Sequence, residues 1–220
     1  MTDVRNVYRL LTARLPHHAG TGTSGLVPAP VAAIADPVWL AAQLAASGRL
    51  YRFGDRPVLG VLWWYSASSV LLAPTVESLV VTGVALDPTR VTLHLHPDGR
   101  LLAATSDAIS ASPVDALWTA LDSAITAVAE VSGARARTLW AIAADSLANR
   151  VLWAGGRPEF AVALGGQVKD LPTPRFVSVN GRDYVRRGSC CLVFEATGGD
   201  KCVSCPRQRP EERMRRLRAI

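Results

Sequence analysis

From Val58 to Val76 the chain reads VLGVLWWYSASSVLLAPTV, a run without one charged residue. Nothing else in the sequence limits the fold so strongly, because a stretch this apolar must leave water. It can cross a bilayer, which wants ~20 predominantly apolar residues, or it can lie inside a protein core. Ser66, Ser68, Ser69 and Pro74 interrupt the run, and Glu77 follows at once. A buried core helix is therefore expected, and a stable membrane span is not. The opening residues, MTDVRNVYRLLTARLPHH, mix charges and lack an apolar signal region, so a cytoplasmic location is expected.

At 220 residues, with 49% hydrophobic and 19% charged side chains, the chain can bury a full core without crosslinks. A first helix is predicted near Val4 to Leu15, a loop or linker over Ala19 to Ala33, and a second helix from Pro37 to Ser47 that Gly48 ends. The Val58 helix should be followed by a separate short element over Thr75 to Val84. The period then changes. In RVTLHLHPDGRLLAATS the residues Val91, Leu93 and Leu95 alternate with Thr92, His94 and His96, and Asp98-Gly99 marks a hairpin turn. Ser112-Pro113-Val114-Asp115 opens a helix carrying Leu117, Leu121, Ile125 and Val128, which Gly133 closes. Another carries Leu139, Ala143, Leu147 and Val151 and ends at Gly155-Gly156. Extended pieces over Phe176 to Val179 and Tyr184 to Arg187 flank Asn180-Gly181. The pattern is a mostly helical, single α+β domain with one or two β-hairpins.

All four cysteines, Cys190, Cys191, Cys202 and Cys205, fall within 16 positions near the C-terminal end, in the pattern C-C-x10-C-x2-C. Three kinds of chemistry could use them. Disulfides suit a reducing compartment poorly, and one connectivity would join adjacent residues with strain. Structural zinc wants two short C-x2-C loops, and only Cys202 and Cys205 make one. A [2Fe–2S] cluster takes two thiolates per iron, and Gly188, Gly198 and Gly199 could turn the backbone to present them, although the spacing fits neither common ferredoxin run.

The pattern, with Arg186-Arg187 before it, Gly198-Gly199 ahead of the third cysteine and Pro206 after the last, resembles the FhuF family of ferric iron reductases. The likeness is specific over about 20 residues. Elsewhere it is in outline only: the helix around Trp63-Trp64-Tyr65, the Pro-Asp-Gly hairpin and LWAIAADSLANRVLW. The resemblance implies a cytoplasmic ferric-siderophore reductase with a [2Fe–2S] cluster on Cys190, Cys191, Cys202 and Cys205. Residues 1–33 would then form an N-terminal helix and loop, 34–183 the body, and 184–220 the cluster-binding segment and basic tail. One departure is that two residues, Gly188 and Ser189, separate the arginines from the cysteine pair. No catalytic residue beyond the cluster is expected.

Other residues are assigned as expectations. Arg186, Arg187 and Lys201 are cations that would raise the cluster's potential, or else simply face solvent. Trp63, Trp64 and Tyr65 could line a siderophore pocket, with core packing as the alternative. His94 and His96 have strand spacing suited to two metal ligands but no third partner, so a solvent-facing pair is expected. His17-His18 should lie at the surface. Gly20 to Gly25 fits G-x-G-x-x-G but lacks the strand before and the helix after that a dinucleotide site requires. With no nicotinamide or flavin site, the electron should come from an external, ferredoxin-like donor. From Arg186 to Ile220 nine cations face four acids, so this basic tail is the expected docking face. It has no aromatic residue after Pro206 to stack bases, and nucleic acid is not an expected partner. The alternative function is a metal-binding regulator or scaffold, with iron–sulfur or zinc ordering the tail for a partner.

Overall fold

The computed structural model describes residues 3–15 and 22–220 and shows a single, mostly helical α+β domain. Its axis is α3, Arg56–Thr82. Asp55 caps it by accepting from the Val58 N–H at 3.0 Å, and Gly83, at φ 73°, ends it. The helix runs unbroken through Pro74, so the separate element expected over Thr75 to Val84 does not exist. Proline removes one backbone bond, but burial on both sides of Pro74 holds the helix together. Around α3 pack α1 (Val4–Arg14), α2 (Pro37–Tyr51), α4 (Pro113–Ser132) and α5 (Ala136–Trp153).

The α3–α5 contact explains how an apolar helix carries polar side chains. Trp64 Nε1 donates to the Leu139 carbonyl at 2.8 Å, and the Ser68 and Ser146 hydroxyls bond at 2.8 Å. Glu77, fully buried, pairs with Arg150 at 2.8 Å. These polar groups find their partners inside the protein, and 72% of the apolar window is buried there. Against α4 the approach is closer still. A Cβ at Gly60 would lie 2.2 Å from Ser132 Oγ. Gly60→Ala should therefore destabilise the fold by about 1–3 kcal/mol through overpacking, measurable as a lower midpoint in chemical denaturation.

The linker expected over Ala19 to Ala33 is only partly a loop. Val27–Pro30 forms strand β1, antiparallel to β2 (Val91–Leu95), which pairs with β3 (Leu101–Ser106) in the order β1-β2-β3. Pro28 and Pro30 lack N–H groups and suit an edge strand. The G-x-G-x-x-G window leads into this strand, not a helix, and its Gly20 and Thr21 lie outside the described residues, as do His17 and His18. Helix α2 also continues past Gly48 to Tyr51 and stops where Arg52 adopts φ 52°. Gly48 lies against the Phe53 carbonyl and Leu59, where a Cβ would be crowded.

His94 and His96 do not form a solvent-facing pair. The ladder shifts register between His94 and Leu95. His94 is buried, its Nε2 bonded to Thr105 Oγ1 at 2.9 Å and its pKa lowered by burial. His96 sits in the turn beside Asp98. The helix from Pro113 matches its expected bounds, although Ser112 makes no side-chain capping bond. After the short α6 (Pro158–Gly165), β4 (Phe176–Val179) and β5 (Arg182–Val185) form a hairpin whose turn, Asn180-Gly181, has both φ angles positive. Its second strand lies two residues earlier than expected, leaving Arg186 and Arg187 beyond it. The cysteine segment contains α7 (Val193–Thr197), and the chain closes with α8 (Pro210–Arg218), whose last turn accepts from Asn180 through the Arg218 carbonyl.

Candidate metal centre

Strand β5 delivers the chain to the middle of α5, where Asp145 is buried one helical turn before Asn149. The Gly188 N–H donates to Asp145 Oδ1 at 2.9 Å and the Ser189 N–H to Oδ2 at 3.4 Å. The two residues that separate the arginines from the cysteines are thus the ones that fasten the loop to the body. Beyond them Leu192 takes φ 60°, a costly left-handed turn for a branched side chain, and α7 begins. Cys205 closes a turn on the Cys202 carbonyl at 3.0 Å, and Arg216 holds the Lys201 carbonyl at 2.7 Å. Arg207 pairs with Glu195. The segment is therefore tied to α5, to α7 and to α8 independently.

These ties bring the four thiols together in two pairs, each with one member from either end of the motif. Cys190 Sγ lies 3.6 Å from Cys205 Sγ, and Cys191 shares a hydrogen bond with Cys202. All four are free thiols. Cys190, Cys191 and Cys205 are buried and Cys202 is exposed. The hydrogen bond from Cys202, then the Val193 N–H and Arg187, pull the Cys191 thiol below the usual range. The same shared proton, with burial, pushes Cys202 up, and burial pushes Cys190 up. One thiol is set up to ionise beside its protonated partner.

Over the second pair lies Arg187. It is buried, not solvated as one expectation had it. Its Nη1 reaches Cys202 Sγ at 3.7 Å, its guanidinium stacks 4.8 Å from the Tyr65 ring, and Nε stands 3.7 Å from Asp145. Burial alone would lower its pKa, but Tyr65, Cys191 and Asp145 outweigh it and raise it. Asp145 goes the other way: burial lifts it to about 6 against the Gly188, Arg187 and Ser189 interactions that lower it. Arg187 Nε and Nη2 have no hydrogen-bond acceptor.

The remaining expected residues scatter. Arg186 is exposed, its N–H bonded to the Arg175 carbonyl. Lys201 lies over the Phe194 ring and donates to the Arg207 carbonyl. Trp64 is wholly in the core, and Trp63 packs edge-on to Trp39 at 6.3 Å. Neither lies at the cysteines, and both pack in the core. Trp63 borders a cleft of about 140 Å³ beside Asp98 and Arg100. Tyr65 alone of the three joins the site. Asp145 was missed, although one signal was present: it is the single acid in LWAIAADSLANRVLW. A cavity of about 610 Å³ reaches Cys190 from the side of Val58 and Arg135. A groove of about 430 Å³ lies on the Arg187 side, between Trp153 and Tyr184.

Residues 187–207 match the family model of the FhuF 2Fe-2S C-terminal domain. No curated protein matches the chain. The match implies a [2Fe–2S] cluster, and the four cysteines are consistent with its motif. The donor set fits. The four thiols lie in two pairs, and a [2Fe–2S] cluster takes two thiolates per iron. Arg187 Nη1 already reaches the Cys202 sulfur, as a donor to a ligand thiolate would. The matched domain suggests the siderophore-iron reductases.

Proposed function

We propose that a chain carrying this FhuF-type segment is a cytoplasmic ferric-siderophore reductase, with Cys190, Cys191, Cys202 and Cys205 holding the [2Fe–2S] cluster. The observation that carries the reading is the matched segment folded with its thiols in two pairs beneath a buried arginine. Hard oxygen donors hold Fe(III) tightly; adding one electron gives Fe(II), which they hold less well, and the iron can leave. When bound, a [2Fe–2S] cluster supplies one electron at a time. The protein's own residues do the rest. Cys190, Cys191 and Cys205 keep the ligand sulfurs out of water. Arg187 places a fixed positive charge and its Nη1 donor beside the thiolates, which favours the more negative, reduced state. Asp145 holds both Arg187 and the loop N–H groups in place. Cys202, exposed and next to Lys201, whose carbonyl Arg216 of α8 holds, is the point where an acidic, ferredoxin-like donor protein would dock.

The reading is tested by metal analysis of anaerobically purified protein, followed by turnover. About two iron and two acid-labile sulfide per chain are expected, with reduction of ferric hydroxamate complexes when a chemical reductant is supplied. Zinc in their place, or neither, overturns it.

A further inference from the structure

The cysteine segment can be reached from two sides. On one, Cys202 stands at the surface next to Lys201, whose carbonyl Arg216 of the C-terminal helix holds. On the other, Cys190 forms part of the wall of the 610 Å³ cavity. We propose that this cavity is the binding site of the ferric chelate, and that it selects complexes whose outer oxygens carry a net negative charge. The inference rests on the reductase reading above.

Four observations point the same way. The volume lies within the ~300–1,000 Å³ common for small-molecule sites. The lining is mixed in the way such sites are: Pro57, Val58 and Val61 give an apolar side, Arg135 and Arg207 a cationic one, and no acid lines the cavity. Helix α5 begins at this wall. Its cap residue, Arg135, supplies no side-chain acceptor, and its first turn carries no acid, so the positive end of an 18-residue helix stands unneutralised beside Thr138. Arg207 is already paired with Glu195, whereas Arg135 is exposed and has no ion-pair partner among the described residues. Finally, a ligand filling the cavity abuts Cys190 with no protein layer between them. The groove on the opposite side offers none of this combination. Asp183 lines it together with Arg182, and no cysteine forms its wall.

The probes are two redox-inert gallium(III) complexes: a tris-catecholate, which is anionic, and a tris-hydroxamate, which is neutral. Calorimetric titration of the full, cluster-loaded protein should show the anionic complex binding more tightly. Arg135→Glu should weaken the anionic complex about tenfold or more and the neutral one by less than about twofold. Thr138→Trp, which fills the cavity, should weaken both about tenfold. Arg182→Glu, in the opposite groove, should change neither. Iron content and melting temperature report whether each variant is intact, and Arg135→Glu, a surface change, keeps the test available if the tryptophan variant misfolds. The proposal is overturned if Arg135→Glu leaves both affinities unchanged, or if Arg182→Glu is the substitution that weakens binding. If the wild-type protein binds neither complex and reduces no ferric chelate, the reductase reading falls, and this inference with it.

Discussion

Serine in place of Cys205 is expected to leave a folded protein with less than about a tenth of the wild-type iron and sulfide. Cys205 is the most deeply buried of the four cysteines, 1% exposed and 3.6 Å from the Cys190 sulfur. A hydroxyl there would have to be deprotonated in a water-poor site to bind iron, at far higher cost than a thiol. No solvent-derived ligand can reach the position easily. At the exposed Cys202, by contrast, water or a serine oxygen can approach, so Cys202→Ser should retain more of the cluster than Cys205→Ser. The core built on α3 does not depend on the motif, and the far-ultraviolet spectrum of both variants should stay helical. Iron and sulfide analysis with low-temperature EPR of the reduced protein checks the ordering. Full cluster content in Cys205→Ser would remove that cysteine from the ligand set.

The second large effect is expected at Asp145. Asp145→Ala strips the acceptors from the Gly188 and Ser189 N–H groups and leaves the Arg187 guanidinium buried without its carboxylate. Removing one partner of a buried pair costs about 3–5 kcal/mol, a large share of the stability of a domain this size. Loss of cluster on dilution into chelator should accelerate in parallel, because the loop carrying Cys190 and Cys191 is no longer fixed. Asp145→Leu combined with Arg187→Met should recover much of the stability without recovering cluster retention, which separates the fold's need for the pair from the metal centre's. In metal-free protein the pH dependence gives a further check. Burial raises the Asp145 carboxyl to about 6 from 3.8, so the folded state binds its proton more tightly than the unfolded chain. That contribution is complete below pH ~4 and is lost as pH rises through about 6. The size is roughly 3 kcal/mol at 1.36 kcal/mol per unit. Asp145→Ala should lack this decline in denaturation midpoints measured across the window.

The sequence carried the features that neighbouring residues encode among themselves. The helix from Pro113 to Gly133, both hairpins with their Asp-Gly and Asn-Gly turns, and the cysteine spacing all follow from capping, period and turn chemistry within a few positions. The uncharged run similarly required a buried helix, whatever covered it. Tertiary contacts decided the rest. Proline looked like the end of a helix at Pro74, but burial on either side outweighed that local preference, and at Gly48 the helix runs on to Tyr51 with the glycine set against the Phe53 carbonyl and Leu59. The strand at Val27–Pro30 exists because β2 offers an edge more than 60 positions away. At the metal centre, four cysteines and an arginine were legible as residue types. Their pairing across the motif, the burial of Arg187 and the part played by Asp145 were not, because these depend on α5 meeting the loop across 43 residues of chain. Local chemistry is written where it acts. The partner of a buried charge is chosen by the fold.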